Sequence, residues 1–244
     1  MNANQVLSMN RRKTASISDV IENISRENEE RRRDLLSFHY QISDVDFFIM
    51  LKAYAENIFI KRGVNSEFIV DDSNKHVIRQ MYYYLVGDQD KCEWDINRGI
   101  YLMGNIGCGK SVLMYAFLAV QDALCRKITT CIHAKQLIEI ILEKGIDDLK
   151  SIPLFIDEIG RENLEMRDYG NIVKPVIDLF AIRYEAGGRT YATSNFKLDD
   201  LEAARDNTGK VTQVRYGNFI RTRMDEMFNV VLLRGGNRRL KWEK

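Results

Sequence analysis

The sequence predicts an α/β domain built on a mainly parallel sheet with helices on both faces. Three observations indicate this class. Short apolar runs alternate with helical patterns through residues 99–233, as is typical of parallel strands joined by helical crossovers. A glycine-rich loop lies between one apolar run and the helix that follows it. Apolar residues make up 45% of the chain, which is enough for a buried core and excludes wholesale disorder.

Charge and cysteine content exclude several classes of protein. The 36 Lys and Arg residues nearly balance the 35 Asp and Glu residues, so binding of nucleic acid must use local patches. The four cysteines have neither metal-ligand spacing nor a disulfide pattern. The chain also has no apolar run of about 20 residues and no signal-peptide core. We therefore expect a cytoplasmic protein without a membrane segment.

A polar arm and two helices are predicted in the first 65 residues. Residues 1–18 are polar and contain Arg11-Arg12-Lys13, so we expect a mobile arm that is solvated or contacts phosphate backbones. Residues 18–33 indicate an exposed helix of mixed charge. Residues 44–60 place apolar side chains on one helical face. This face packs either on the rest of the chain or on a partner.

The remaining elements follow in order along the chain. One helix is predicted between the N-cap pair Asp72-Ser73 and Gly87. Trp94 lies in the next connection, where it either packs or covers a bound base. Further helices are predicted at 110–125, 134–144, 169–186 and 215–227, and strands at 100–103, 128–132, 154–156, 190–193 and 230–233.

The glycine-rich loop carries the strongest functional signal. It reads Gly104, Asn105, Ile106, Gly107, Cys108, Gly109, Lys110 and Ser111. This order fits Gly-x-x-x-x-Gly-Lys-Ser/Thr, in which backbone N–H groups surround phosphate oxygens at a helix N-terminus. Lys110 is expected to reach the β- and γ-phosphates and Ser111 to bind Mg²⁺. The alternative is a glycine turn without a nucleotide, but the context favours a nucleoside triphosphate site.

Polar residues at the ends of two later strands complete the predicted site. Asp157 and Glu158 directly follow the run 154–156, at the sheet edge where open α/β folds bind ligands. Asp157 is expected to hold Mg²⁺, and Glu158 to polarise a water that attacks the γ-phosphate. Asn195 follows the next strand and is expected to bridge this water and the phosphate. Without the phosphate loop, each of these residues would indicate only a solvated turn.

Several motifs occur together in a fixed order. They are the phosphate loop, Asp157-Glu158-Ile159-Gly160, Asp168-Tyr169-Gly170-Asn171, Arg183-Tyr184, Thr193-Ser194-Asn195, residues 216–224 and residues 235–239. This set resembles the AAA+ ATPases of the DnaC/IstB type, which are bacterial replicative-helicase loaders and transposition helpers. The resemblance covers about residues 95–240 and implies a P-loop core with five parallel strands in the order 5-1-4-3-2 and little or no helical lid. It also implies ATP and Mg²⁺, hydrolysis to ADP and phosphate, and a homo-oligomer assembled on DNA.

The resemblance also assigns two arginines. Arg223 falls on the arginine finger of the family, which reaches into the ATP site of the neighbouring subunit, with Arg221 as the nearby alternative. A surface salt bridge is the other role open to Arg223. Arg239 falls on the terminal arginine and would contact the nucleotide of its own subunit. Arg238 and Lys241 compete for this last assignment.

Two functions on DNA are implied, and two other classes are disfavoured. A helicase loader would bind single-stranded DNA and a replicative DNA helicase, with residues 1–65 as a helical partner-binding region and residues 66–244 as the ATPase domain. A transposition helper would act on duplex DNA with a transposase. Phe219, where the family often has arginine, and the short connection 134–152 leave the DNA-contacting element open. The Asp-Glu pair argues against a small-molecule kinase and against a binding module without turnover.

Overall fold

The computed structural model describes residues 16–163, 165–168, 171–206 and 208–238, and at 166–168 and 171–173 it describes the backbone alone. Most of the predicted basic arm therefore lies outside the described residues. The chain divides into two compact units, of which the first ends at Phe38 and the second begins at His39.

The described part of the first unit is mainly one helix, α1 (Ile17–Leu36). Its N-terminus forms a capping box, because the Ser16 hydroxyl accepts the Asp19 N–H at 3.1 Å and the Asp19 carboxylate accepts the Ser16 N–H at 2.9 Å. The predicted exposed helix of residues 18–33 is confirmed, and no residue of α1 is buried.

The second unit contains the remaining helices and strands. They are α2 (Asp44–Lys61), α3 (Lys75–Val86), β1 (Gly99–Gly104), α4 (Lys110–Cys125), β2 (Thr130–His133), α5 (Leu137–Lys144), β3 (Leu154–Ile159), β4 (Met166–Asp168), β5 (Asn171–Val173), α6 (Pro175–Ala186), β6 (Thr190–Ser194), α7 (Leu198–Glu202), β7 (Ala203–Arg205), β8 (Val211–Val214), α8 (Gly217–Met227) and β9 (Phe228–Leu233).

The core is a five-stranded parallel sheet with the order β2-β3-β6-β1-β9. If only these five strands are numbered from 1 to 5 along the chain, their order read from β9 to β2 is 5-1-4-3-2. This confirms the predicted fold and strand order. Successive residues of β1 point to opposite faces. Ile100 and Leu102 enter a core cluster with α2, α3 and α4, whereas Tyr101 enters a second cluster with α5, α6 and α8. Helices therefore cover both faces of the sheet.

Helix α2 belongs to the second compact unit, which begins at His39, and the division of the chain into domains at residue 65 stays a prediction. The apolar face of α2 packs on α4, and Phe47, Leu51 and Ala55 are fully buried there. The physical reason lies in α4, which is apolar nearly all round and needs a second layer over the face that it turns away from the sheet.

Two local predictions are wrong. The helix predicted from residue 169 begins at Pro175, and the hairpin β4–β5 precedes it. Proline has no N–H and restrains the residue before it, so it favours the first position of a helix. Helix α3 has Asn74 as its N-cap instead of Asp72-Ser73. Ser73 donates instead to the Asp71 carboxylate, so the polar run forms a turn before the helix.

Candidate nucleotide-binding site

The glycine-rich loop joins β1 to the N-terminus of α4, as predicted. Gly107 and Gly109 have φ angles of 79° and 102°, a region that side chains rarely tolerate. A Cβ at Gly107 would lie 2.1 Å from Oδ1 of Asn237. The loop therefore requires glycine at this position both for its backbone conformation and for its packing.

Lys110 is buried at the base of this loop, with 6% of its surface exposed. Its Nζ donates to the carbonyl oxygens of Gly104 at 2.8 Å and Asn105 at 2.7 Å, and to Oδ1 of Asn195 at 2.8 Å. Burial lowers the pKa of Lys110. The structure thus brings Lys110 and Asn195 together. The ammonium group donates to three protein oxygens, and the oxygens of a bound phosphate would compete with them for these hydrogen bonds.

The two residues predicted to bind Mg²⁺ are in contact. The Ser111 hydroxyl donates to Oδ1 of Asp157 at 2.7 Å, and the Thr193 hydroxyl donates to the same oxygen at 2.5 Å. Asp157 is 6% exposed. A hydroxyl and a carboxylate beside a phosphate loop fit Mg²⁺, which prefers oxygen ligands and keeps water and substrate phosphates in its remaining positions. Thr193 had no assigned role in the sequence analysis, although it lies within the Thr193-Ser194-Asn195 motif.

Glu158 lies at an irregularity of β3. The pairing of β3 with β6 changes register between Ile156 and Ile159, and Glu158 adopts a left-handed φ of 61°. Such a conformation costs a non-glycine residue about 1–2 kcal/mol, and here a hydrogen bond from the Glu158 N–H to the Thr193 hydroxyl at 2.9 Å supports it. Strained conformations of this kind are concentrated at functional sites.

The Glu158 side chain faces the same cavity as the phosphate loop. Its Oε2 accepts a hydrogen bond from Nη1 of Arg161 at 2.7 Å and lies 3.4 Å from Nε2 of His133. The carboxylate is therefore in place beside the loop but is paired with a cation.

A cavity of about 330 Å³ opens beside the loop. Lys110, Glu158 and Asn195 line its polar end. The wall opposite the loop comes mostly from the end of α2 and the connection to α3, and the other lining residues outside the loop are Phe59, Arg62, Ser66, Glu67, Phe68, Ile69, Asp71, Asn74, Val112, Leu113, Leu233 and Arg238. A wall of mixed apolar and polar side chains, joined to a glycine-rich end, is suited to a base and its phosphates.

No sequence pattern predicted this wall. The apolar run Phe68-Ile69-Val70 contributes Phe68 and Ile69 to it, but a run of three residues is too short to show a period. Trp94, considered as a cover for the base, packs instead against the core near Tyr84, with ring centroids 6.3 Å apart. It does not line the cavity.

Arg238 is the C-terminal arginine that lines the cavity. Its N–H donates to the Gly107 carbonyl at 2.9 Å, and its Nη2 donates to both carboxylate oxygens of Asp71, at 2.8 and 2.9 Å. Arg239, the residue assigned by resemblance, lies outside the described residues. The assignment to Arg239 is therefore not tested.

Arg223 and Arg221 lie on α8 and do not line the cavity of their own chain. The Arg223 guanidinium lies 3.5 Å from the ring centroid of Phe219, and its Nη2 is 3.1 Å from Oε1 of Glu185. Arg221 forms ion pairs with Asp199 and Asp225. Both arginines thus form ion pairs within the chain, and a role in a neighbouring subunit stays a prediction.

Sheet order and phosphate loop together define a P-loop nucleotide-binding α/β fold. The structure is similar to that of the DnaC helicase loader, with a TM-score of 0.50 and 17% identity over 68% of this chain and 93% of that chain. This similarity shows the fold and confirms the expected likeness to DnaC-type AAA+ proteins at that level.

Two other solved structures are similar as well. One is DnaI, with a TM-score of 0.48 and 21% identity over 70% of this chain and 87% of that chain. The other is a chain from Streptococcus pyogenes assigned as a primosome component, with a TM-score of 0.48 and 22% identity over 70% and 85%. No family model and no curated protein matches the sequence. Within the described residues, no helix has the length and apolar character needed to cross a membrane.

Proposed function

We propose that this chain is a Mg²⁺-dependent ATPase of DNA replication that works as a helicase loader. It would bind ATP, single-stranded DNA and a replicative helicase, and hydrolyse ATP to ADP and phosphate. The observation that carries the proposal is that Lys110, Ser111 and Glu158 line one cavity, with Asp157 hydrogen-bonded to the Ser111 hydroxyl. The DnaC protein that shares this fold is a helicase loader.

Each residue of the cavity has a role in the proposed reaction. Lys110 exchanges its bonds to the loop carbonyls for bonds to the β- and γ-phosphates. Ser111 and Asp157 would hold Mg²⁺, which would neutralise charge on the phosphate oxygens. Glu158 accepts a proton from the attacking water, and Asn195 orients that water. The water oxygen bonds to the γ-phosphorus as the bond to the bridging oxygen of ADP breaks.

Two arginines would complete the site. Arg223 lies away from its own cavity on α8, which supports its role as a finger that acts on the nucleotide of a neighbouring copy. Arg238 lines the cavity and would contact the nucleotide in its own chain. The proposed protein therefore hydrolyses ATP as a homo-oligomer.

The first test is phosphate release from Mg-ATP with and without single-stranded DNA. Glu158→Gln should lose about 100-fold or more in rate while its affinity for ATP stays near that of the wild type. Glu139→Gln is a matched control, because Glu139 is exposed on α5. Hydrolysis by Glu158→Gln at the wild-type rate, or phosphate transfer to a nucleoside or sugar, would reject the proposed ATPase.

A mixing experiment tests the finger. Arg223→Ala protomers keep an intact cavity and Lys110→Ala protomers keep an intact finger, so a mixture should recover hydrolysis that neither variant has alone. Unchanged inactivity at every mixing ratio, with assembly intact, would exclude a finger that acts in trans.

The partner is tested with the full chain. Four apolar side chains of α1 are exposed, at Ile17, Val20, Ile21 and Ile24, and they lie on one helical face. The wild type should retain a purified replicative helicase on a column, and Ile21→Glu should lose it without loss of ATP binding. Retention of a transposase together with duplex DNA, and not of the helicase, would indicate a transposition helper.

A further inference from the structure

The segment after β9 lies against two loops that border the cavity. Its Arg238 N–H donates to the Gly107 carbonyl at 2.9 Å. On the other side, a Cβ at Gly235 would lie 3.1 Å from Oγ of Ser73. The backbone of residues 235–238 is therefore fixed between the phosphate loop and the turn at residues 71–73.

The Arg238 guanidinium is anchored at one nitrogen. Nη2 faces both carboxylate oxygens of Asp71 and the Ser73 hydroxyl, at 2.8, 2.9 and 2.8 Å. The Ser73 hydroxyl donates in turn to the Asp71 carboxylate at 2.5 Å. The buried Asn74 fixes this turn, because its Oδ1 accepts the Asp71 N–H at 2.9 Å. Hydrogen bonds from Ser73, and then Arg238, hold the pKa of Asp71 below its usual value.

The other two guanidinium nitrogens have no close acceptor in the part of the chain that the structure describes, and the side chain runs beside the phosphate loop. Nη1 makes only a long contact of 3.4 Å to the Ile69 carbonyl, and Nε has no hydrogen bond to any described residue. The Cδ and Nε atoms lie 3.6 and 3.9 Å from the position that a Cβ would take at Gly109. Gly109 is the residue before α4, where the helix N-terminus attracts anions.

We propose that Asp71 and Ser73 are positioning residues, which hold the Arg238 guanidinium at Nη2 so that an N–H group left without a close acceptor meets the phosphates of the bound nucleotide. This inference rests on the proposed function. It means that the turn at residues 71–73, before α3, contributes to the affinity for the nucleotide. The competing explanation is that Asp71 only adds negative charge beside the triphosphate. The two explanations predict opposite signs, because loss of a repelling charge would strengthen binding and loss of an anchor would weaken it.

The test is the affinity of the full chain for a fluorescent ATP analogue with Mg²⁺. Asp71→Asn should bind about tenfold more weakly, the scale of one hydrogen bond to a charged group. Ser73→Ala should show a smaller loss. Asp72→Asn is the matched control, because this carboxylate is exposed and pairs with Lys75, and its affinity should equal that of the wild type. Tighter or unchanged binding by Asp71→Asn would overturn the inference.

A double-mutant cycle shows whether Asp71 acts through Arg238. Arg238→Ala should also weaken binding about tenfold, and adding Asp71→Asn to it should cause no further loss. A full additional loss in the Arg238→Ala background would mean that Asp71 acts on folding or on another group, which would overturn the positioning role. If the wild type does not bind ATP, the proposed function itself fails. Only this inference fails if the wild type binds the ATP analogue, Lys110→Ala does not bind it, and Asp71→Asn binds it with wild-type affinity.

Discussion

Arg183 provides the sharpest test of how the sheet is held together. It is among the largest side chains with no exposed surface. Its guanidinium donates to the carbonyl oxygens of Leu149, Ile152 and Arg189 and to the hydroxyl of Thr190. These acceptors belong to the segments that lead into β3 and β6, at the edge of the sheet opposite the cavity. Burial lowers the pKa of Arg183 to about 9.

Arg183→Met would leave the carbonyl oxygens of Leu149 and Ile152 without this donor, whereas the Arg189 carbonyl keeps the Leu154 N–H at 3.0 Å. Each such group costs about 1–3 kcal/mol when it stays buried without a partner. Removal of a buried charge returns part of that energy, because a desolvated ion carries a penalty of several kcal/mol. We expect a net loss of about 2–4 kcal/mol in the free energy of unfolding. For a chain of this size the melting temperature should fall by about 5–15 °C.

The assay is thermal and urea unfolding of the wild type, Arg183→Met and Arg79→Met. Arg79 is exposed on α3, so its variant should stay within about 0.5 kcal/mol of the wild type. At low temperature Arg183→Met should still bind an ATP analogue with wild-type affinity, since the cavity lies at the other edge of the sheet. A melting temperature within about 2 °C of the wild type would refute the reasoning.

Three further predictions follow from the site. Gly107→Ala should weaken binding of an ATP analogue at least about tenfold by calorimetry, because a Cβ would meet a side-chain oxygen at 2.1 Å; Gly209→Ala, with no atom within 4 Å, should bind as the wild type does. Thr193→Val removes a hydrogen bond to Asp157 and should raise the Mg²⁺ concentration needed for phosphate release, whereas an unchanged Mg²⁺ titration would exclude this role. Burial raises the pKa of Glu162 above its usual value of 4.5. As pH rises, Glu162 therefore loses its proton at a lower pH in the unfolded chain than in the folded chain. The free energy of unfolding falls as pH rises from the lower of these two pKa values to the higher. The difference in melting temperature, Glu162→Gln minus wild type, should therefore increase from acid to neutral pH. A difference that does not change with pH would contradict this prediction.

The fold could be predicted because its signals are local. Apolar runs and helical periodicity mark each core element, and the glycine-rich loop shows where the first strand ends. The strand order required the resemblance, since no local pattern encodes which strands are neighbours. The short hairpins β4–β5 and β7–β8 were missed, because strands of three or four residues carry too little periodicity to be recognised.

The polar end of the cavity could also be predicted. Lys110 and Ser111 begin α4, Asp157 and Glu158 lie in the second half of β3, and Asn195 directly follows β6. The parallel topology brings these residues to one edge of the sheet. Their chemical roles stay predictions.

The opposite wall could not be found in this way. Asp71 and Arg238 are separated by 167 residues, and neither lies in a periodic element. Only the packing of α2 on α4, which was one of two possibilities in the sequence, brings the end of α2 and the following turn over the phosphate loop.

The most direct test of the central claim is a crystal structure of the chain with Mg²⁺ and a non-hydrolysable ATP analogue. The account predicts the phosphates along residues 104–111, Lys110 on the β- and γ-phosphates, and Mg²⁺ held by Ser111 and Asp157. A nucleotide bound elsewhere, or an empty cavity with the Asp157 and Glu158 carboxylates turned away from it, would contradict the account.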